Sequence, residues 1–275
     1  VRRIFLACLF FAACARTPSP ITDSTATRVV AIAPGTEANL FALGLGSSLI
    51  GVSDFCSVPE AAHLPRVGGQ TNPNLERIAA LSPTLVLVQG RHPKVKAWTA
   101  GAAVEFHAFP TDSIPGWKLE VRWLGERFSK AAESERLIAE VERALAQLGS
   151  FGMPRRTLLL IARRSDQASG IVAAGPGTFL SELLAAAGGV NVLPEGGVAY
   201  PSINEESLIR LDPEAVIEFR PGAVDAGDAL EVWRASFPAL AAVRAGRIGA
   251  VTHLEALMPG PRMHEVAQAM HALLR

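Results

Sequence analysis

The sequence predicts an α/β protein: two similar α/β lobes with mainly parallel sheets, joined by one long connecting helix, with a cleft between the lobes. Three observations lead there. β-Branched strand segments alternate with helical patterns along the chain. One local motif recurs in each half. Between the halves lies a stretch without proline that keeps the period of a single helix face. The chain has 275 residues, room for one large domain or two lobes. Apolar residues make up 49% and charged residues 19%, which supplies a core and excludes a disordered chain. Lys+Arg and Asp+Glu both count 26, so no electrostatic footprint for nucleic acid exists. The three cysteines are Cys8, Cys14 and Cys56, too few for a disulfide scaffold or a Cys-rich zinc site.

In chain order, residues 1–14 read as a signal peptide. Arg2 and Arg3 precede an apolar run from Ile4 to Ala13. That run is too short for a hydrocarbon core of ~30 Å, which needs about 20 apolar residues. It ends Phe11-Ala12-Ala13-Cys14, which resembles a bacterial lipoprotein signal whose cysteine becomes the acylated first residue. An ordinary signal peptide with nearby cleavage is the other reading. Residues 15–27, rich in Thr, Ser and Pro, read as a flexible tether.

The first lobe is expected over 28–116. Strands are read at 28–33, 49–52, 85–88 and 104–109, with helices at 36–45 and 75–81. The second lobe is expected over 151–275. Strands are read at 157–162, 170–174, 215–219 and 247–252. Helices follow at 178–187, 207–211 and 261–274. The recurring motif is Glu76-Arg-Ile-Ala-Ala-Leu-Ser-Pro83 and Glu206-Ser-Leu-Ile-Arg-Leu-Asp-Pro213. Each places a glutamate seven residues before a proline, with a short apolar helix between and a buried strand after. The connecting helix is expected over 117–150. Apolar residues at 121, 124, 128, 131, 138, 141, 145 and 148 step mostly by three or four. The thirty proline-free residues from Leu119 to Leu148 at 1.5 Å rise would give a rod of roughly 45 Å along both lobes, stiff enough to permit only small rocking motions.

These segments resemble the substrate-binding component of a bacterial ABC importer, of the class in which a long helix joins two α/β lobes. The carrying residues are Arg28–Pro34 with Thr36-Glu37, Leu64-Pro-Arg-Val-Gly-Gly69 and Asn72-Pro-Asn-Leu-Glu76. In the second half they are Gly175-Pro-Gly-Thr-Phe-Leu180, Ala187-Gly-Gly-Val-Asn191 and Pro238–Arg244. The resemblance spans about 28–274. It implies a receptor for cobalamin, haem or a ferric siderophore, with corrinoid favoured, and an ABC permease with its ATPase as partners. It implies no resident cofactor, because the cargo carries the metal (corrinoid cobalt or chelated iron). It further implies a monomer in the periplasm or cell envelope, tied to the membrane only through a lipid on Cys14. By position, Glu76 and Glu206 are the carboxylates that each lobe presents to permease arginines. The physics is compatible: each lies near a helix N-terminus, and two contacts fix orientation. Glu205 leaves a one-residue ambiguity.

Ligands of such sheets lie against loops at the carboxyl ends of strands. The candidates are therefore Pro34, Thr36, Phe55, Gln89, Arg91 and His92 in the first lobe. In the second they are Arg163, Tyr200, Arg220, His253, Glu255 and Met258. Phe55 fits the aromatic that corrinoid-binding members place against cargo, while Leu254–Met258 lacks the arginine found there. A haem reading would draw an axial ligand from His92, Tyr200 or His253. A trianionic siderophore would want Arg91, Arg163, Arg164 and Arg220 to converge. Cys56 reads as a small buried hydrophobe, and Met258 and Met263 as packing residues. No G-x-S-x-G, H-E-x-x-H or Cys-pair motif supports an enzyme. A metal-ion receptor or a scaffold lipoprotein are the remaining classes.

Overall fold

The computed structural model describes residues 27–110, 112–149, 152–164, 169–223 and 229–275. The signal segment, Cys14 and most of the tether lie outside them. The first lobe runs β1 (Val29–Ala31), α1 (Pro34–Ala42), β2 (Leu49–Gly51), α2 (Leu75–Ala80), β3 (Leu85–Gln89), α3 (Pro93–Gly101) and β4 (Glu105–Phe109). Its four strands pair in the order β2-β1-β3-β4, and every pairing is parallel. Strand order reverses between β1 and β3, the position where such sheets open a crevice above their carboxyl ends.

Two helices follow, α4 (Ile114–Arg127) and α5 (Ala131–Ala146). The expected single rod over 117–150 is thus corrected to a helical hairpin. Ser129 takes a left-handed φ of 57°, and Lys130 N–H bonds back to the Gly125 carbonyl at 2.6 Å, which closes the first helix. Gly125 lies so tightly against Ser134 that a Cβ there has no room. Lys118–Glu142 and Arg122–Glu135 ion pairs tie the limbs antiparallel. Periodicity missed the turn because Leu124, Phe128 and Ala131 keep steps of four and three straight across it. Folding back lets each limb bury its own stripe: Trp117, Val121 and Leu124 on one, Ile138 and Val141 on the other.

The second lobe runs β5 (Arg155–Ala162), β6 (Ile171–Ala174), α6 (Phe179–Ala186), β7 (Gly189–Asn191), β8 (Ser202–Ile203) and α7 (Glu205–Leu211). It ends with β9 (Ala215–Phe219), α8 (Ala229–Ser236), α9 (Ala241–Arg244), β10 (Ile248–Val251) and α10 (Met263–Leu274). Its sheet has the order β10-β9-β5-β6-β8, with β7 also on β5. Pairings among β10, β9, β5 and β7 are parallel, and β6 runs antiparallel to both β5 and β8. The elements α3, β7, β8, α8 and α9 add to those read from the sequence.

The central strands are covered on both faces, so β1, β3 and β9 are buried along their whole length and successive side chains enter different cores. Val29, Ala31, Leu85 and Leu87 point one way, and Val30, Ile32, Val86 and Val88 the other. In the second lobe Leu159, Ala215 and Ile217 oppose Leu158, Leu160 and Val216. One of these cores is shared. It runs from β1 and β3 through Trp117, Leu124, Ile138 and Val141 to α6 and α10. The lobes are therefore welded through the hairpin.

The recurring motif is a true structural repeat. Asn74 caps α2 by accepting from Arg77 N–H, and Asn204 caps α7 by accepting from Ser207 N–H. Each helix ends near a left-handed residue, Ser82 (φ 48°) or Asp212 (φ 38°), before Pro83 or Pro213. The strands that follow, β3 and β9, pair in parallel with β1 and β5. Glu76 and Glu206 occupy equivalent, exposed positions in the first turns.

Candidate ligand cleft

The loop after β2 is built from below. Glu37, in the first turn of α1 and fully buried, accepts Ser53 N–H at 2.6 Å. Arg66 donates to the carbonyls of Ser53 (2.9 Å) and Cys56 (3.2 Å). Burial raises the Glu37 carboxyl above its ordinary value, against the lowering effect of its hydrogen bonds to Ser53 and Cys56. Burial first, and then the Glu37 charge, push the Cys56 thiol up to about 12, so it is a neutral packing group. The loop so held presents Phe55 outward, 69% exposed, with its ring edge over Gly69.

Beneath α1 lies a polar knot. Glu120 of α4 accepts Asn39 Nδ2 and Gln89 Nε2, each at 3.0 Å, and Trp117 Nε1 donates to Asn39 Oδ1 at 2.9 Å. Burial raises the Glu120 carboxyl, opposed by hydrogen bonds from Gln89 and Asn39. This corrects two expected cargo contacts. Pro34 and Thr36 are buried, while Gln89, whose side-chain amide is held by Glu120, still lines the cavity at the end of β3. Helix starts immediately after a strand put these side chains under the rim instead of on it.

The second lobe carries its own knot at the carboxyl ends of β5 and β9. The Glu218 side chain, 1% exposed, binds Arg163 at 2.7 Å and Arg220 at 2.5 Å. Trp233 Nε1 donates to it at 2.6 Å. Burial raises the Glu218 carboxyl, but hydrogen bonds from Arg163 and Trp233 and the two guanidinium charges outweigh that and hold it below the ordinary range. The expected convergence of Arg91, Arg163, Arg164 and Arg220 on cargo is corrected accordingly. Arg163 and Arg220 converge on an internal carboxylate, and the Arg163 side chain is only 5% exposed. The pairing was invisible in the sequence because Glu218 sits in an otherwise apolar strand.

The three expected axial donors also have partners. His92 Nε2 lies 3.0 Å from the Gln89 carbonyl, His253 Nε2 lies 2.8 Å from Glu265, and Tyr200 bonds Asp112. Burial and then the Asp112 bond push the Tyr200 phenol well above its usual value. Glu255 accepts Ser57 Oγ at 3.0 Å, which makes it a bond between the lobes. Met258 is half-buried in the same segment. What remains exposed is Arg91 in the first lobe and a set of large, mostly apolar side chains: Phe55 in the first lobe, Val198, Tyr200, Leu254 and Leu257 in the second. Of the tryptophans, Trp117 is in the core, Trp98 is half-buried against the first lobe's outer core, and Trp123 stacks on His107 at 4.0 Å.

Lobe spacing is set by close contacts. The entry to α4 and the start of α6 cap one another: Ile114 N–H donates to Glu182 at 2.6 Å and Phe179 N–H to Asp112 at 3.4 Å. The Pro259 carbonyl closes over Gly35, where a Cβ would sit 2.5 Å away. Gly35→Ala would therefore wedge backbone against backbone. It is expected to destabilise the fold by about 1–3 kcal/mol, read as a lower midpoint in denaturant titration.

Two α/β lobes joined through a helical hairpin, with Phe55 and Leu254 exposed on loops that follow strand ends, one in each lobe, are the arrangement of a two-lobed ligand-binding protein. The chain belongs to the periplasmic binding protein family, whose signature matches residues 29–256. Among its relatives is a vitamin B12-binding protein of Vibrio campbellii, 26% identical over 230 residues, 79% of each chain. The periplasmic vitamin B12 binding protein of Vibrio cholerae has a similar structure, with a TM-score of 0.72, 21% identity and coverage of 90% of this chain and 96% of that one. A periplasmic haem-binding protein of the same organism has a TM-score of 0.79 at 18% identity, covering 91% and 99%. The family places the chain in the periplasm. Among the described residues, no helix is long and apolar enough to cross a membrane.

Proposed function

We propose that this chain is the substrate-binding component of an ABC importer that captures a corrinoid, cobalamin in particular, and hands it to the permease without chemical turnover. One observation carries the reading: large apolar side chains stand exposed on loops of both lobes, Phe55 at 69% and Leu254 at 59%. We read these side chains, each on a loop after a strand end, as the surface that meets the apolar part of the cargo. A corrinoid presents broad apolar faces and brings its own equatorial and axial ligands. It therefore asks no metal donor of the protein, consistent with partnered His92, Tyr200 and His253. The vitamin B12-binding relatives support the same cargo. Ferric siderophore and haem remain the other members of the cargo class. Affinity arises from burying cargo between lobes that are already positioned.

Glu76 and Glu206 are the docking carboxylates in this reading, and the permease works with its own ATPase. Cys14 is the lipid anchor that keeps a monomeric receptor in the envelope beside its permease. Both glutamates are exposed, and Glu206 is held only by an exposed pair with Arg210 at 2.6 Å. Such pairs are worth little and are readily given up to a partner.

The test is titration of purified protein with cobalamin, haem and a ferric siderophore panel, read by absorbance. One-to-one binding of cobalamin without conversion is expected. Phe55→Ala is expected to weaken it by about tenfold or more, as loss of a large apolar contact implies. Binding of haem or siderophore alone would reassign the cargo, and conversion of any of them would point to an enzyme.

A further inference from the structure

Beside Phe55 the first lobe holds a cavity of about 650 Å³ at the end of β3 and the start of α3. Its walls include Gln70, Asn72, Arg91, His92 and Lys94. No Asp or Glu is among the residues that line it. Arg91 and Lys94 are both exposed, and neither forms an ion pair among the described residues. Other arginines of this chain, such as Arg163, Arg220 and Arg262, are paired with carboxylates. The amides of Lys94 and Val95 open α3, where N–H groups lack helical acceptors, and the first turn holds no acidic residue. The Gln70 and Asn72 amides add neutral donors. Phe55 adjoins this cavity, because the same Gly69 that lies beneath its ring also lies against Asn72.

We infer that this cavity is the anion subsite of the cleft. It holds one anionic oxygen group of the cargo, a phosphate or a carboxylate, through Arg91 and Lys94, while an apolar face of the same cargo lies on Phe55. The inference rests on the cleft reading above and adds an orientation: the charged arm enters the first lobe, and the apolar body faces Tyr200 and Leu254. Fixed donors paired with an anionic oxygen are stronger than neutral hydrogen bonds and weaken with salt.

The test compares the full chain with Arg91→Ala/Lys94→Ala. Ligands are cobalamin, cobinamide (which lacks the phosphate), haem and haem dimethyl ester, at low and high salt. Both side chains are exposed, so an unchanged melting midpoint is expected and serves as the folding control. The double variant should bind its anionic cargo about tenfold or more weakly, with a flatter salt dependence, and the uncharged analogue equally well. Loss for cobalamin alone identifies a phosphate, and loss for haem alone a carboxylate. Equal affinity of variant and parent for the anionic cargo, or equal loss for the uncharged analogue, overturns the subsite while the cleft reading stands. Failure of every cargo to bind the parent protein sinks the cleft reading instead. Inorganic pyrophosphate then decides the subsite: Lys94 and Val95 amide resonances must shift in the parent and not in the variant, and a flat titration in the parent overturns it.

Discussion

Replacing Glu218 with alanine is expected to cost about 3–5 kcal/mol of stability near neutral pH, as removal of one member of a buried charge cluster does. The cause is not the lost attraction alone. The side chain is 1% exposed and accepts from Arg163, Arg220 and Trp233. Without it, Arg163 keeps its charge in a site where only 5% of the side chain reaches solvent, and the Trp233 N–H loses its acceptor. The pH dependence carries a sign. The Glu218 carboxyl is held below its ordinary 4.5 in the folded state. Its contribution is therefore fully present above about 4.5 and lost as pH falls through the folded value. The gap between parent and variant should narrow on acidification. Denaturant titrations at pH 7 and pH 4 measure it, and a gap that widens in acid would contradict the assignment.

Reversing both docking carboxylates, Glu76→Lys with Glu206→Lys, is expected to reduce transport to background while leaving cargo affinity within about twofold. Like charges set against permease arginines cost several kcal/mol, and two tips act jointly. Both residues are exposed in the first turns of Asn-capped helices, so the fold loses only small terms from cation placement at helix starts. Single reversals should each lower transport by about tenfold. Uptake of labelled cargo by cells, alongside titration of purified protein, separates the outcomes. A loss of cargo affinity would move these glutamates from docking to the cleft.

The glutamate repeat was legible because its signals are local: an N-cap two residues before each glutamate, a short apolar helix, a proline, then a buried strand. Phe55 was legible for a similar reason, as a large apolar side chain in a loop after a strand. Arg163 and Arg220 were misread because their partner is 55 residues from one and two from the other, on a neighbouring strand in register. Gln89 ends a strand as cleft residues do, and only packing of α4 beneath α1 showed its side-chain amide held by Glu120.

Sequence alone determined the two-lobed α/β plan and the repeat. Those depend on periodicity, capping and turn chemistry, all of which act over a few residues. Tertiary structure decided how the lobes are held. The connector is a folded hairpin whose limbs feed one shared core, so rigidity comes from continuous packing instead of a rod. It also decided which charged groups are spent inside the fold and which, like Arg91 and Lys94, stay exposed without an ion pair among the described residues, because pairing across strands and helices leaves no local trace in the chain.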